Sequence, residues 1–391
     1  MQSDVLYEYM ARQLDTVPTK FHRYLYPSIS WDDRMLGLVG PRGVGKTTLF
    51  LQRIIEQNDR AHTLYVSADH MFFAAHTLYE VADEFYKNGG KYLYIDEVHK
   101  YEDWSRELKM IYDSMPKLHV YFTGSSVLDI EKGEADLSRR APKYLLQGLS
   151  FREFLAVRHG IDVPVHSLER LLSQDIDLSG VEHPLPLFKE YLKTGYYPFG
   201  SDRDFEIELE QVITRTLEVD IPQYADMTIA TGRKLKRLVA VVSTLVPFKP
   251  NMSDLARRVQ VSRNNIENYL VYLEKAGIIA QLRTGASGLG ALGKVDKIYL
   301  DNTNILYNLS DGRPDTGTVR ETFFFNQVRV NHSVSSSPVS DFLIEKDTFE
   351  VGGKSKGVDQ VKGVPNAYIV KDDIEFGGGA TIPLWAFGLL Y

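Results

Sequence analysis

The segment GPRGVGKT at residues 40–47 has the residue types and the spacing that bind nucleotide phosphates. It fits the pattern G-x-x-x-x-G-K-[ST], in which glycines let backbone amides surround a phosphate and the lysine reaches the β- and γ-phosphates. The helix that follows would add partial positive charge, and the Thr47 hydroxyl would ligate Mg²⁺. The pattern predicts a nucleotide site formed by Gly40, Pro41, Arg42, Gly43, Val44, Gly45, Lys46, Thr47 and Thr48.

Two carboxylates follow the apolar run at 91–95, with Asp96 standing 50 residues after Lys46. Asp96 would hold Mg²⁺ through water, and Glu97 would polarise the water that attacks the γ-phosphate. The alternative is a charged turn at the end of a strand. The phosphate-binding segment upstream favours the catalytic interpretation.

Polar and basic side chains after the next strands are candidates for contact with the γ-phosphate. The segment at 123–126 ends one strand, and we select Ser125 as the contact residue, with Thr123 as the alternative. Arg139 and Arg140 precede the last strand. Either arginine would stabilise transition-state charge in a neighbouring subunit, or both are salt-bridged surface residues.

These residues need a sheet that brings them to one edge. Five short runs have strand character, at 35–39, 63–67, 91–97, 118–122 and 144–146. Because these runs alternate with helical patterns, they predict an α/β fold in which helices wrap a parallel sheet. Ligands bind at the carboxyl ends of such strands.

Four segments together resemble the AAA+ ATPases of bacteria and archaea that carry a C-terminal DUF4143 region, the AAA_14 type. They are 40–47, 94–98, 123–126 and 149–154. The resemblance continues through GYYP at 195–198, where Tyr196 replaces the second glycine of the usual GGYP. The resemblance covers most of the chain and implies ATP binding, ATP hydrolysis and a winged helix.

A basic module lies between residues 231 and 297, which contain twelve basic and four acidic residues although the whole chain has a net charge of −7. Helical patterns at 253–259 and 263–276 are separated by a short turn, and two strands follow, as in a winged helix-turn-helix. The candidates for contact with double-stranded DNA are Arg263, Asn264, Asn265 and Asn268. Docking of a protein partner is the alternative.

Residues 312–391 predict a helix over 320–330 followed by strands. Glu321, Asp341, Glu350 and Lys354 resemble the metal-binding acids and lysine of restriction-endonuclease-like domains. In that chemistry two carboxylates hold Mg²⁺ and a lysine steadies charge on the phosphate. The lysine stands four positions after Glu350 rather than two, so we favour a structural or nucleic-acid-binding remnant over an active nuclease.

Composition bounds the remaining function classes. The chain has no cysteine, which excludes disulfides and thiolate metal sites. We expect a cytoplasmic chain without a membrane span or secretory signal. The literal GxGxxG at 288–293 precedes a strand rather than a helix, so we reject it as a dinucleotide site.

We divide the chain into an ATPase domain (1–150), a helical lid or connector (151–231), a winged-helix module (232–311) and a nuclease-like DUF4143 domain (312–391). The prediction is an ATP- and Mg²⁺-dependent ATPase whose nucleotide state controls the basic module. The alternatives are a nucleotide-dependent protein-interaction switch and an ATP-controlled Mg²⁺-dependent nuclease. Partners would be ATP, DNA, a second copy of the chain or another protein.

Overall fold

The computed structural model describes residues 4–124, 137, 139–176, 180–224, 229–285, 294–357 and 361–391. The chain divides into two compact units, which comprise residues 1–147 and 148–391. Each unit has its own buried core. No helix among the described residues is long and apolar enough to cross a membrane.

Unit one is built on a five-stranded parallel sheet with the strand order β2-β3-β4-β1-β5. Its strands are β1 (Met35–Val39), β2 (Thr63–Ser67), β3 (Tyr92–Asp96), β4 (His119–Thr123) and β5 (Lys143–Leu145). The predicted parallel α/β sheet is confirmed. The four longer strands are almost wholly buried, which explains their continuous apolar runs.

The described residues of unit one form four α-helices: α1 (Asp4–Leu14), α2 (Lys46–Gln57), α3 (Leu78–Lys87) and α4 (Trp104–Ser114). Helix α3 begins with a capping box in which Thr77 and Glu80 each accept from the other's backbone N–H. Apolar side chains of α3 and α4 pack with the strands in one core. This core fixes the strand ends that carry the predicted site.

Unit two is mainly helical up to residue 275. Its helices are α5 (Phe151–Phe154), α6 (Leu168–Leu172), α7 (Pro184–Glu190), α8 (Phe205–Arg215), α9 (Ile221–Tyr224), α10 (Ile229–Ser243), α11 (Met252–Val259), α12 (Arg263–Lys275), α13 (Thr303–Leu309) and α14 (Thr316–Val328). Helices α5, α7 and α8 each continue into one turn of π-helix.

Helices α11 and α12 are joined by a short turn and followed by the antiparallel strands β6 (Ile279–Arg283) and β7 (Val295–Leu300). Ser262 caps α12 by accepting from the Asn265 N–H. Asn251 caps α11, because its side chain accepts from the N–H groups of residues 253 and 254. The GxGxxG segment at 288–293, between β6 and β7, lies outside the described residues.

The C-terminal sheet has the order β12-β11-β10-β9-β8. Its strands are β8 (Val334–Ser336), β9 (Phe342–Ile344), β10 (Asp347–Gly352), β11 (Ala367–Lys371) and β12 (Thr381–Pro383). Strands β8, β9 and β10 are antiparallel, and β11 and β12 run parallel to β10. A single bridge between Thr284 and Ser336 connects the β6–β7 hairpin to β8.

Candidate functional site

The phosphate-binding segment forms the turn from β1 into α2. Gly43 and Gly45 have φ values of 82° and 97°, the left-handed region that favours glycine. A side chain at Gly40 would collide with the carbonyl oxygen of Leu146. The glycine spacing is therefore required by the backbone of this turn.

Lys46 begins α2 and its side chain is buried. Its ammonium donates to the carbonyl oxygens of Gly40 and Pro41, at 2.9 and 2.7 Å. These contacts hold the positive charge against the turn, at the N-terminal end of a 12-residue helix. Helix dipole and ammonium together favour an anion at this position.

Asp96 ends β3 and is only 5% exposed. Its Oδ2 accepts hydrogen bonds from the Thr47 hydroxyl at 2.7 Å and from the Tyr65 hydroxyl at 2.8 Å. Its Oδ1 accepts from the Thr123 hydroxyl. The adjacent strands β2, β3 and β4 and the start of α2 thus meet at one carboxylate.

Thr123, the alternative γ-phosphate contact, makes hydrogen bonds with both acidic residues at the end of β3. Besides donating to Asp96, its hydroxyl accepts from the Glu97 N–H at 3.1 Å. It therefore ties the two acidic residues to the end of β4. Ser125, our first choice, lies outside the described residues.

Glu97 has a φ of 52°, which is uncommon for a residue with a side chain. Its Oε2 lies 3.8 Å from Arg42 Nη2 and 3.9 Å from the buried His99 Nε2. The carboxylate is thus near the phosphate-binding turn and within 4 Å of two basic side chains. A carboxylate at this position is able to orient a water near a bound phosphate.

The donor set fits Mg²⁺ bound with a nucleotide. Mg²⁺ is usually held by one or two protein oxygens together with phosphates and waters. Thr47 and Asp96 would supply the protein oxygens. The described residues contain no cluster of three or more acidic or histidine ligands that would form a cation site without nucleotide.

Arg139 and Arg140 both lie just before β5. Arg140 Nε is 3.1 Å from Asp113 Oδ1, and its guanidinium lies 5.7 Å from the ring centre of Tyr112. Arg139 is exposed. The contacts of Arg140 match the surface salt-bridge alternative, and its action on another subunit stays a prediction.

The sequence did not predict the contribution of two residues near the site, Tyr65 and Arg23. Tyr65 donates to Asp96, and Arg23 donates to the carbonyl oxygens of Val44 and Gln147, the latter at 2.7 Å. Arg23 is buried and holds the phosphate-binding turn against the chain after β5. No local pattern marks either residue, because their partners are distant in the sequence.

All four candidate DNA contacts on α12 are exposed: Arg263, Asn264, Asn265 and Asn268. A cavity of about 620 Å³ beside them is lined by the basic residues Lys249, Arg263 and Lys294. Seven of the twelve basic residues of the segment form ion pairs. Its paired basic residues include Lys236, Lys249, Arg257, Arg258, Arg263, Arg283 and Lys297.

The three C-terminal acids, Glu321, Asp341 and Glu350, do lie close together. The lysines that contact them are Lys297 and Lys356 rather than the predicted Lys354. Lys354 is exposed, whereas Lys356 forms an ion pair with Glu350. The chain turns back after β10, and the Lys356 side chain packs on Gly352, where a Cβ would stand 2.7 Å from Lys356 Cγ. Lys356 therefore fills the space that a side chain two positions after Glu350 would occupy.

A second lysine, Lys297 of β7, contacts the other two acids. Its Nζ lies 3.2 Å from Glu321 Oε2 and 3.3 Å from Asp341 Oδ1. Burial alone would lower the pKa of Lys297, but these two carboxylates raise it overall. A charged ammonium thus lies within 3.3 Å of two of the three acids named in the nuclease hypothesis.

Two regions of the chain match models of known protein families. Residues 32–155 match the AAA_14 family, described as an AAA domain, and residues 185–316 match DUF8612, a domain of unknown function. The second match differs from the expected DUF4143 region, which is therefore not supported. None of the curated proteins matches the chain.

The solved structures that are similar to the chain include two that share little sequence identity with it. The Walker-type ATPase PABY2304 of Pyrococcus abyssi is 13% identical, covers 79% of this chain and 95% of its own, and has a TM-score of 0.43. PCH-2 of C. elegans is 15% identical, covers 70% and 67%, and has a TM-score of 0.24. Both TM-scores are below 0.5.

Proposed function

We propose, from the AAA-type P-loop domain at residues 32–155, that this chain binds ATP with Mg²⁺ and hydrolyses ATP. The observation that carries the proposal is the contact of Thr47 with Asp96 beside the phosphate-binding turn. Lys46 would neutralise the β- and γ-phosphates, and Thr47 and Asp96 would hold the cation. Bound Mg²⁺ supplies charge neutralisation of the phosphates.

Glu97 would then act as the general base or water-orienting group. Its carboxylate lies near Arg42 of the phosphate-binding turn. Its backbone is fixed by the hydrogen bond from its N–H to Thr123. An ionisable oxygen directly after β3, beside the phosphate-binding turn, supports a role in proton removal from water.

Steady-state ATP hydrolysis by the wild type and Glu97→Gln tests this function. We expect the variant to lose about 100-fold or more of the rate while still binding ATP, because only the base is removed. Glu102→Gln, in the exposed turn that follows, is the matched control and should hydrolyse normally. Equal rates in Glu97→Gln and the wild type would contradict the assigned role.

A second candidate function is DNA binding by the α11–α12 module, which we propose as a winged helix. The exposure of Arg263, Asn264, Asn265 and Asn268 at the beginning of α12 favours it. The ion pairs of the basic segment favour the competing proposal, in which the module docks a protein.

The salt dependence of duplex DNA binding separates these candidates. If Arg263 contacts a phosphate, Arg263→Ala should weaken binding and reduce the logarithmic salt slope by about 1. Lys275→Ala, at the other end of α12, is the control and should leave the slope unchanged. Binding that is equally weak in all variants and insensitive to salt would support protein docking.

Nucleotide control of this module is the final part of the proposal. It is supported by the presence of a P-loop domain and a helix-turn-helix in one chain. Duplex DNA affinity should differ between ATP, ADP and nucleotide-free protein. The same affinity in all three states would contradict nucleotide control of the module but would not contradict the proposal that the chain hydrolyses ATP.

A further inference from the structure

Tyr65 lies in the centre of β2, next to the strand that carries Asp96. It pairs in register with Tyr94, and Ser67 pairs with Asp96. Residues 94 and 96 of β3 face the same side of the sheet, because side chains alternate along a strand. Tyr65, the partner of Tyr94, therefore lies on the same face of the sheet as Asp96, and its hydroxyl lies 2.8 Å from Asp96 Oδ2.

The hydrogen bonds to Asp96 define which part of the carboxylate is available. An ionised carboxylate accepts about four hydrogen bonds, two at each oxygen. Oδ2 accepts two, from Thr47 and Tyr65, and Oδ1 accepts one, from Thr123. Within the described residues, one acceptor position is left, on Oδ1.

We propose that Tyr65 is a positioning residue that fixes the Asp96 carboxylate for a divalent cation. This inference rests on the proposed function. By occupying the second acceptor position of Oδ2, the phenol prevents the carboxylate from turning or from binding water there. Thr47 donates its proton to Asp96, so the lone pairs of the Thr47 hydroxyl are left for the cation.

The surroundings of Tyr65 hold its phenol in place. The ring is 1% exposed, and Tyr9 of α1 stacks on it with a centroid distance of 6.0 Å and an interplanar angle of 13°. Helix α1 thus supports the metal site through two aromatic rings. The phenol is the donor in its hydrogen bond with Asp96, because an ionised carboxylate only accepts.

Tyr94 provides a matched comparison on the neighbouring strand. It is also fully buried, and its hydroxyl donates to Gln57 Oε1 at 2.8 Å. Its partner is not a residue of the proposed metal site. Removal of either hydroxyl leaves an isosteric phenylalanine, so a general effect of losing a buried phenol should be the same at both positions.

The test measures binding of a fluorescent, non-hydrolysable ATP analogue by the full chain, first in EDTA and then during a Mg²⁺ titration. Tyr65→Phe should bind the analogue in EDTA within about twofold of the wild type. It should require about tenfold more Mg²⁺ for the half-maximal change, because outer contacts of metal-binding groups have effects of this size. Tyr94→Phe should titrate like the wild type.

A double-mutant cycle with Asp96→Asn checks that the effect passes through the carboxylate. Tyr65→Phe should cause no further change in the Mg²⁺ requirement in the Asp96→Asn background. Independent, additive effects would overturn the proposal. Equal Mg²⁺ titrations of Tyr65→Phe and the wild type, or a Tyr65→Phe variant that also loses analogue binding in EDTA, would overturn it too.

The outcomes distinguish this inference from the proposed function. A wild type that binds and hydrolyses ATP while Tyr65→Phe titrates normally contradicts the positioning role alone. A wild type that binds no analogue with or without Mg²⁺ contradicts both.

Discussion

Lys297 neutralises two partly buried carboxylates that would otherwise repel each other. Burial is the largest cause that raises the pKa of Asp341, followed by the charge of Glu321, and Lys297 opposes both. The Tyr299 hydroxyl also donates to Glu321, at 2.6 Å. The acidic cluster is thus balanced within the protein by a lysine of the preceding hairpin.

Lys297→Met should therefore destabilise unit two by about 2 kcal/mol near neutral pH, because it leaves both carboxylates without their ammonium. A carboxyl whose pKa is raised by folding stabilises the fold below its usual pKa, and this contribution is lost as the pH rises through the folded-state pKa. The destabilisation should accordingly shrink as Asp341 becomes protonated at acidic pH.

Urea unfolding of unit two at neutral and acidic pH measures this effect. Lys249→Met is the control, since Lys249 pairs with Asp296 at 3.0 Å in an exposed position and should change stability little. A cost for Lys297→Met that is independent of pH would mean that lost packing, rather than charge, causes the effect.

Single residues were predictable where their chemistry is encoded locally. The spacing of Lys46 and Thr47 predicts their positions because the turn and helix that carry them are contiguous in sequence. Arg23 and Tyr65 contact the same region through partners 124 and 31 residues away. Their roles depend on strand order, which a single sequence does not specify.

Helix boundaries depend on individual capping groups. We predicted a helix from residue 320, whereas α14 begins at Thr316, after Asp315. The Asp315 side chain accepts from the Thr318 N–H at 2.9 Å. Aspartate is a good cap, but Gly317 in the first turn weakened the helical pattern there.

Asp315→Ala should lower the stability of unit two by about 1 kcal/mol near neutral pH, as loss of an N-cap does. The Thr318 N–H is the largest cause that lowers the pKa of Asp315. A carboxyl with a lowered pKa stabilises the fold above its usual pKa, and the contribution is lost as the pH falls through the folded-state pKa. The difference between variant and wild type should therefore vanish in acid.

Denaturant unfolding of Asp315→Ala and Asp204→Ala provides the comparison. Asp204 precedes α8 at the same position but makes no capping hydrogen bond, so its replacement should cost less. Equal costs for both variants would show that the hydrogen bond to Thr318 contributes nothing.

Strands were predictable to different degrees. The runs 35–39 and 63–67 match β1 and β2, because fully buried parallel strands are continuous apolar segments. Strands β8, β9 and β12 contain three residues each and were not placed individually. Such short strands are defined by their neighbours in the sheet rather than by their own sequence.

At the scale of the whole molecule, the two units differ in how far their sequences specify them. Unit one follows a recurrent βα pattern with a phosphate-binding turn, so the order of its motifs already predicts a parallel sheet. Unit two combines helices, a hairpin and a mixed sheet, and its resemblance predicted a different domain from the one that residues 185–316 match. The arrangement of these elements in unit two could not be predicted from the sequence.

The contacts of Tyr391 affect the order in which this protein folds during synthesis. Its carbonyl oxygen accepts from the Ser150 hydroxyl at 2.6 Å and from Arg152 Nε at 2.8 Å, so residues 241 and 239 positions apart meet in the core of unit two. Unit one has its complete sheet by Leu145. Domains generally fold as units, the N-terminal one first. Unit one can therefore fold on the ribosome before unit two is complete. The contacts of Ser150 and Arg152 with Tyr391 form only after residue 391 has been translated.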